Sequence, residues 1–327
     1  MIETRPLATV VAPSRLHFGL FVESEGYGFV DGGSGVALST PSLELTVEVA
    51  EGDSLRCMAL TQPRKPPWLI ELSRGLGLPG ISVDVQKHLP RHVGLGSETA
   101  LRMAVARGAA AAAGIPVNSR SLAGFVQRGG TSGVGVYAGE FGGFIVDEGH
   151  SAVEKVSFGP SSAALAAPPS LRLAVSPPTR PWVALHMRPK GHRGLSGASE
   201  RAFFREHCPI PRQETDQILR LAETVLLPGL QCAHLDAVNF ALERLQALGL
   251  KTREWAIQPA PVQRLRRSWP LQQPLCLSSL GPTTFALVPK ELASYSLRRL
   301  EHIMRLFAVS VSEFWSPDNT SPKLSIT

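Results

Sequence analysis

The sequence predicts an α+β fold divided into two packed domains. Three observations carry this expectation. The 327 residues exceed what one hydrophobic core usually serves. Strand-like and helix-like periodicities are intermixed without the regular spacing of βαβ units, which argues against a doubly wound sheet. A stretch rich in Pro, Ala and Ser over 159–181 reads as a linker or domain edge, so residues 1–165 and 166–327 are the expected domains.

Taken in order, residues 7–24 read as a strand with a break at Pro13. Within "SRLHFGLF" the alternation puts Arg15, His17 and Gly19 on one face and Leu16, Phe18 and Leu20 on the other. "LELTVEV" (43–49) and "ISVDVQKHLP" (81–90) are further strands. Residues 97–113 are helical: Ser97 can cap, Glu98 sits in the first turn, and the alanines favour helix. Gly114 stops it, with Pro116 beyond. A short helix spans 119–127, and the glycine-rich stretch 128–150 ends in the strand-like "GFIVDEG". Beyond the linker, "RPWVALHMRP" is a strand, and helical patterns follow over about 197–206, 213–227 and 231–248. "PLCLSSLGPTTFALVP" (274–289) holds two strand pieces around a polar turn. "KELASYSLRRLEHIMRLF" is an amphipathic helix, and 316–327 is a frayed tail.

Composition narrows the function classes. The formal net charge is +6, with the basic residues spread out apart from short clusters such as "RLRR". There is no basic tail and no aromatic platform, so nucleic acid is not the expected partner. A mild positive excess suits an anionic small molecule. The four cysteines, Cys57, Cys208, Cys232 and Cys276, form no CxxC pair, which fits a reducing compartment. No run approaches about 18 apolar residues. A cytoplasmic protein without a membrane span is therefore expected.

Several stretches carry chemistry. In "GLGSET" (94–99), Gly94 and Gly96 let the backbone turn tightly around Leu95. Ser97, Thr99 and the free N–H groups of the helix start then face a ligand, with the dipole behind them. A pyrophosphate fits such a loop; so does a plain turn with Ser97 as a cap. Glu98 repels a polyphosphate unless a divalent cation lies between them. "RGGTSGVG" (128–135), with Gly130, Thr131, Ser132 and Gly133, is a second anion-friendly turn. "SSLGPTTFAL" (278–287) sets Ser278, Ser279, Gly281 and Thr283 around a third. Arg15 and His17 share a strand face, where one can bind an anion and the other can move or donate a proton. Asp147 at a strand end is a candidate magnesium ligand, alongside Glu98.

Three of these stretches together resemble the GHMP kinase superfamily. "PRHVGLGSETA" looks like its PxxxGLGSSxA phosphate loop, with Glu98 for the second serine. "APSRLHFGL" looks like its N-terminal strand motif, and "SSLGPTTFAL" stands where its third motif belongs. The resemblance implies a left-handed βαβ-type N-terminal domain and a ferredoxin-like C-terminal domain. "TSGVGVYAGEFGGFIVD" lines up with SGxDNxxxxxGG, and the aspartate that acts as base in many of these kinases falls on Gly135. Glycine cannot accept a proton, so phosphoryl transfer is not expected.

"SRLHFGL", "HVGLGSET", "RGGTSGVGVYAGEFGGFIVDEGH", "GLSGASERAFF" and "SSLGPTTFAL" together resemble one branch, the β-ribofuranosylaminobenzene 5′-phosphate synthase family. That resemblance implies a decarboxylating phosphoribosyl transferase of (tetrahydro)methanopterin biosynthesis and one-carbon metabolism. It joins 4-aminobenzoate or 4-hydroxybenzoate to phosphoribosyl pyrophosphate and releases CO2 and pyrophosphate. It also implies a homodimer, while the chemistry of that reaction calls for magnesium at the Gly94–Thr99 loop, for Arg15 to hold the substrate carboxylate and for His17 to hydrogen-bond the ring substituent or the ribose. Two rivals stand beside it: a GHMP small-molecule kinase using another base, and a non-catalytic phosphometabolite-binding protein.

Overall fold

A computed structural model describes residues 6–57, 62–160, 167–176, 182–316 and 323–325. Two sheets organise them. The first has eight strands. Its centre is the antiparallel pair β1 (Leu7–Val22) and β2 (Phe29–Val49). β1 runs on through Pro13, and the expected break is a register shift between Pro13 and Ser14. Residues 29–42 of β2 were not expected as strand. Their glycines and serines hide the period-two signal, and Val36, Ala37 and Leu38 are nevertheless fully buried.

β3 (Ser54–Cys57), α1 (Pro67–Gly75) and β4 (Ile81–Lys87) form a parallel βαβ unit at one edge. α2 (Ser97–Ala112) lies on the sheet. A β-carbon on Gly108 would come 2.8 Å from Val47 and 2.9 Å from Val10. Only glycine permits that approach, and the surrounding small alanines complete a close helix–sheet contact. α3 (Ser119–Phe125) is capped by Asn118, whose side chain accepts from the Ser121 N–H at 2.9 Å. α4 (Val134–Phe141) sits inside the stretch read as glycine-rich loop and leads into β5 (Phe144–Asp147). β6 (His150–Ser151) pairs with β2. β7 (Leu171–Val175) pairs with β5, so the first sheet takes a strand from the segment read as linker. The rest of that segment, 161–166 and 177–181, lies outside the described residues.

The second sheet is antiparallel, with β8 (Trp182–Pro189), β9 (Cys276–Leu277), β10 (Thr284–Pro289) and β11 (Phe307–Ser312). Their order across the sheet is fourth, first, third, second, the ferredoxin-like order. Between β8 and β9 come α5 (Ala198–His207), α6 (Arg212–Leu221), a π-turn (Ala222–Leu226) running into α7 (Leu227–Gln231), α8 (Leu235–Leu245), α9 (Gly249–Ala256) and α10 (Ala260–Arg267). The long helix expected over 290–307 is shorter: α11 (Ala293–Arg299) with one 3₁₀ turn on either side. Phe307 already begins β11, because Phe307, Val309 and Val311 pack on the core as a strand face. The tail is not simply frayed, since β12 (Lys323–Ser325) pairs with β1; 317–322 and 326–327 lie outside the described residues.

One hydrophobic cluster joins the sheets. It takes Leu16, Phe18 and Val36 from the first, Trp182, Phe285 and Leu287 from the second, and the inner faces of α5 to α8. The rings of Phe18 and Phe285 stack with centroids 5.6 Å apart. Among the described residues no helix is long and apolar enough to cross a membrane.

Candidate active site

The glycine stretches converge. The loop before α2 is pinned by residues distant in sequence. The Arg15 N–H donates to Leu95 O (3.1 Å) and the Thr283 N–H to Val93 O (3.2 Å). Arg15 Nη1 and Ser278 Oγ both donate to Gly94 O, each at 2.7 Å. Gly94 and Gly96 adopt φ of +86° and +75°. Gly96, not Ser97, occupies the N-cap position; Ser97 is the first helical residue and lines the cavity. A left-handed residue suffices to turn the chain, which frees the hydroxyl expected to cap.

Beside this loop lies a cavity of about 230 Å³. Arg15, His17, Gly94, Leu95, Gly96, Ser97, Glu98 and Thr99 line it from the first domain's strand and loop, Thr131 and Ser132 from the second motif, and Ser279 and Gly281 from the third. Gly130, Gly133, Ser278 and Thr283 stand behind this lining. Gly130 O accepts from buried Lys155 (2.7 Å), and Ser278 Oγ also accepts from the His17 N–H (3.0 Å). Their part in the geometry is to hold the lining. Sequence alone cannot separate a hydroxyl that faces a cavity from one that closes a turn.

The lining carries charges of both signs, Arg15 and Arg128 beside Glu98, Glu200 and Glu254. Arg15 and Arg128 both face the cavity. Burial, together with Arg128, lowers the Arg15 guanidinium to about 10, while Glu200 opposes the shift. Burial, together with Arg102, does the same to Arg128, against Glu98 and Glu200. Both stay charged at neutral pH. Arg128 donates to Thr99 Oγ1 through Nε (3.0 Å) and Nη2 (2.8 Å). Glu98 is drawn to Arg102 (2.8 Å) and Arg91 (3.4 Å). Burial raises its carboxyl, but Arg102, Arg128 and Arg91 bring the balance below the usual value. The repulsion expected of Glu98 is therefore largely compensated within the protein.

His17 is held well below the ordinary imidazole range by burial and by the charges of Arg15 and Lys251, so it is neutral. Its Nε2 lies 3.0 Å from Ser132 Oγ, and Ser132 Oγ donates to Asp147 Oδ2 at 3.0 Å. The Ser132 hydroxyl thus links the His17 ring to Asp147. Asp147 is not among the lining residues. Oδ2 also accepts from the Gly133 N–H (2.9 Å) and Oδ1 from the Gly149 N–H (3.0 Å), so both oxygens are engaged within the protein. That arrangement fits a clamp on the second motif rather than a metal ligand. Burial pushes Asp147 up to about 7 against those hydrogen bonds. A second buried cluster supports the same loop: Asp31 meets His150 (2.6 Å) and Lys155 (2.7 Å), and His150 Nε2 donates to Gly129 O (2.9 Å).

Gly135 lines the cavity, and a β-carbon there would come 3.1 Å from Thr99 Cγ2. The Thr99 side chain thus stands beside the position where the kinase pattern has its acid–base group. Residues not singled out from sequence are Arg128, Glu200 and Glu254 and an apolar wall of Leu20, Leu195, Phe204 and Leu280. Arg128 was legible as the residue opening the second motif. Glu200 and Phe204 lie within "GLSGASERAFF", which pointed to them only through resemblance. Among the described residues, no group of three or more His, Cys, Asp or Glu is arranged to hold a metal ion.

Comparison with known proteins agrees with this architecture. The family described as GHMP kinases N terminal domain matches residues 68–143. The beta-ribofuranosylphenol 5'-phosphate synthase of Archaeoglobus fulgidus is 33% identical over 275 residues, covering 84% of this chain and 86% of that one. That of Methanocaldococcus jannaschii is 30% identical over 298 residues, covering 86% and 90%. Among solved structures, Streptococcus pneumoniae phosphomevalonate kinase superposes with a TM-score of 0.69 at 12% identity over 94% of this chain and 99% of that one. Homoserine kinase from Cytophaga hutchinsonii superposes at 0.62 and 17%, over 98% and 97%. Likeness at such identity concerns the fold alone.

Proposed function

The chain belongs to the beta-ribofuranosylphenol 5'-phosphate synthase family, and on that premise we propose that it joins 4-hydroxybenzoate to phosphoribosyl pyrophosphate, releasing CO2 and pyrophosphate. The choice of the hydroxy over the amino acid follows the relatives' name, which ends in a phenol. The observation that carries the reading is a pyrophosphate-type loop flanked by two arginines that bond to it and line the same cavity, where the kinase aspartate position is Gly135. The kinase rival lacks support at that position, and a non-catalytic role is not favoured by the named relatives.

The chemistry asks little covalent help of the protein. The para substituent pushes electron density to the ring carbon bearing the carboxylate. That carbon attacks C1 of the ribose as pyrophosphate leaves, and the departure of CO2 restores the aromatic ring. Charge builds on the leaving oxygens, so donors fixed there lower the barrier. The Gly94–Thr99 loop at the start of the sixteen-residue α2 supplies N–H groups and the positive helix end. Arg128 adds a charged fork. Arg15 holds the acceptor carboxylate, and neutral His17, positioned by Ser132, hydrogen-bonds a ribose hydroxyl. Thr131 and Ser132 or Ser279 and Gly281 receive the 5′-phosphate. No base is required at the attacked carbon, because CO2 leaves where a proton otherwise would.

Magnesium belongs to the proposal as an ion arriving on the pyrophosphate. Both candidate carboxylates have their oxygens engaged within the protein, and only Glu98 lines the cavity, so Glu98 is the one placed to meet the ion. It would supply positive charge to the leaving oxygens. A cytoplasmic homodimer is the expected assembly, to be checked by sedimentation. The reaction is tested by incubating purified protein with both substrates and magnesium. Mass spectrometry of the expected ribosylphenol phosphate supports it; ATP-dependent phosphorylation in its place refutes it.

A further inference from the structure

We propose that Glu254 is the base that takes the proton from the para-hydroxyl group of the aromatic acceptor. The inference rests on the reaction proposed above and names the residue that sets which acceptor is used.

Glu254 sits on α9 and lines the cavity together with the apolar wall of Leu20, Leu195, Phe204 and Leu280. All four wall residues belong to, or pack against, one hydrophobic cluster. Such a wall suits an aromatic ring. In the proposed pose the acceptor's carboxylate meets Arg15, its ring lies on this wall, and its para substituent reaches Glu254, all three being parts of one cavity lining. Glu254 is only 8% exposed. Burial raises its affinity for a proton, against the pull of Lys251, whose Nζ lies 2.6 Å from Oε2. Lys251 and Glu23 share a small second cavity with Glu254, behind Leu20. Burial, then Glu254 and Asp31, raise the Glu23 carboxyl well above the usual range, against Lys251 and Arg253. Lys251, in direct contact with Glu254, favours its carboxylate form against that burial.

The step balances. A phenol ionises near pH 10, so about one molecule in a thousand is phenolate at neutral pH. As the proton moves to a Glu254 carboxylate oxygen, the oxygen's electrons enter the ring. The ring carbon bonds to ribose C1, and the bond from C1 to pyrophosphate breaks with its electron pair. Loss of CO2 returns that bonding pair to the ring, and the phenolate regains the proton from Glu254. No co-reactant is needed. With 4-aminobenzoate the lone pair is already available and no proton has to leave.

A purely structural role makes a different prediction. Lys251 Nζ also donates to Leu277 O (3.0 Å) and Ser279 O (3.2 Å), so the Lys251–Glu254 pair braces the third motif. Loss of a brace slows both acceptors alike.

The test compares kcat for 4-hydroxybenzoate and 4-aminobenzoate in the wild type, Glu254→Gln and Glu254→Asp, from about pH 6 to about pH 10. We expect Glu254→Gln to slow the hydroxy acid about a hundredfold at neutral pH, with a rate that climbs as the phenol ionises by itself. The loss with the amino acid is about tenfold smaller or less. Glu254→Asp, which keeps a carboxylate, restores part of the hydroxy rate. Equal losses for both acceptors, or a Glu254→Gln rate that does not climb with pH, would overturn the inference while leaving the reaction intact. A wild type that turns over neither acid defeats the proposed reaction and this inference with it.

Discussion

Replacing Gly94 with alanine tests how the loop is held. Gly94 has φ +86°, where an L-residue costs roughly 1–2 kcal/mol. The added β-carbon would stand 2.5 Å from Ser278 O and 3.1 Å from Gly281 O. A carbon–oxygen contact normally rests at about 3.3 Å, so loop and third motif must separate by about 0.8 Å. That separation strains the Ser278–Gly94 and Thr283–Val93 hydrogen bonds that join the two domains there. A misplacement of this size costs about a hundredfold in rate. Thermal melting should fall by about 2–8 °C. Steady-state kcat/KM for phosphoribosyl pyrophosphate and a melting curve measure both effects. Gly124→Ala is the control: it lies in α3 with nothing within 4 Å, so it should gain stability and keep the rate. A Gly94→Ala protein with wild-type kcat/KM would refute the account of the loop.

Three further outcomes are expected. Arg128→Ala should lower kcat about a hundredfold or more and raise KM for phosphoribosyl pyrophosphate in initial-rate assays, with Arg128→Lys recovering only part because it lacks the fork that holds Thr99. Asp147 keeps a proton in the folded state up to about 7, whereas the unfolded chain releases it near 3.8. Its contribution to stability is therefore constant below about pH 4, falls as pH rises from about 4 to about 7, and is flat above, by an amount on the order of 4 kcal/mol at most. Urea midpoints of wild type and Asp147→Asn across this window should show that slope vanish in the variant. Phe285→Ala removes a fully buried ring stacked on Phe18 between the sheets and should cost about 3–5 kcal/mol by chemical denaturation.

What was legible in the sequence follows from locality. Gly94, Gly96 and Ser97 announce a loop and helix start within six residues, and period-two alternation puts Arg15 and His17 on one face. Both readings need only neighbours along the chain. The role of Asp147 depends on Ser132 and the Gly133 and Gly149 N–H groups meeting it across a turn, which no spacing rule encodes. Thr99 opposite Gly135 is likewise a contact between α2 and α4. α9 escaped because "GLKTREWA" buries Lys251 and Glu254 along with Leu250 and Trp255, so its buried face does not read as apolar. β11 escaped because helical periodicity in "SLRRLEHIMRLF" runs into the strand without a breaker.

The central claim is decarboxylating ribosyl transfer. Its most direct measurement is release of labelled CO2 from carboxyl-labelled 4-hydroxybenzoate by purified protein with magnesium. Parallel reactions omit phosphoribosyl pyrophosphate or replace it with ATP. The account predicts labelled gas that depends on phosphoribosyl pyrophosphate and equals the pyrophosphate formed. No labelled gas from either 4-hydroxybenzoate or 4-aminobenzoate would contradict it.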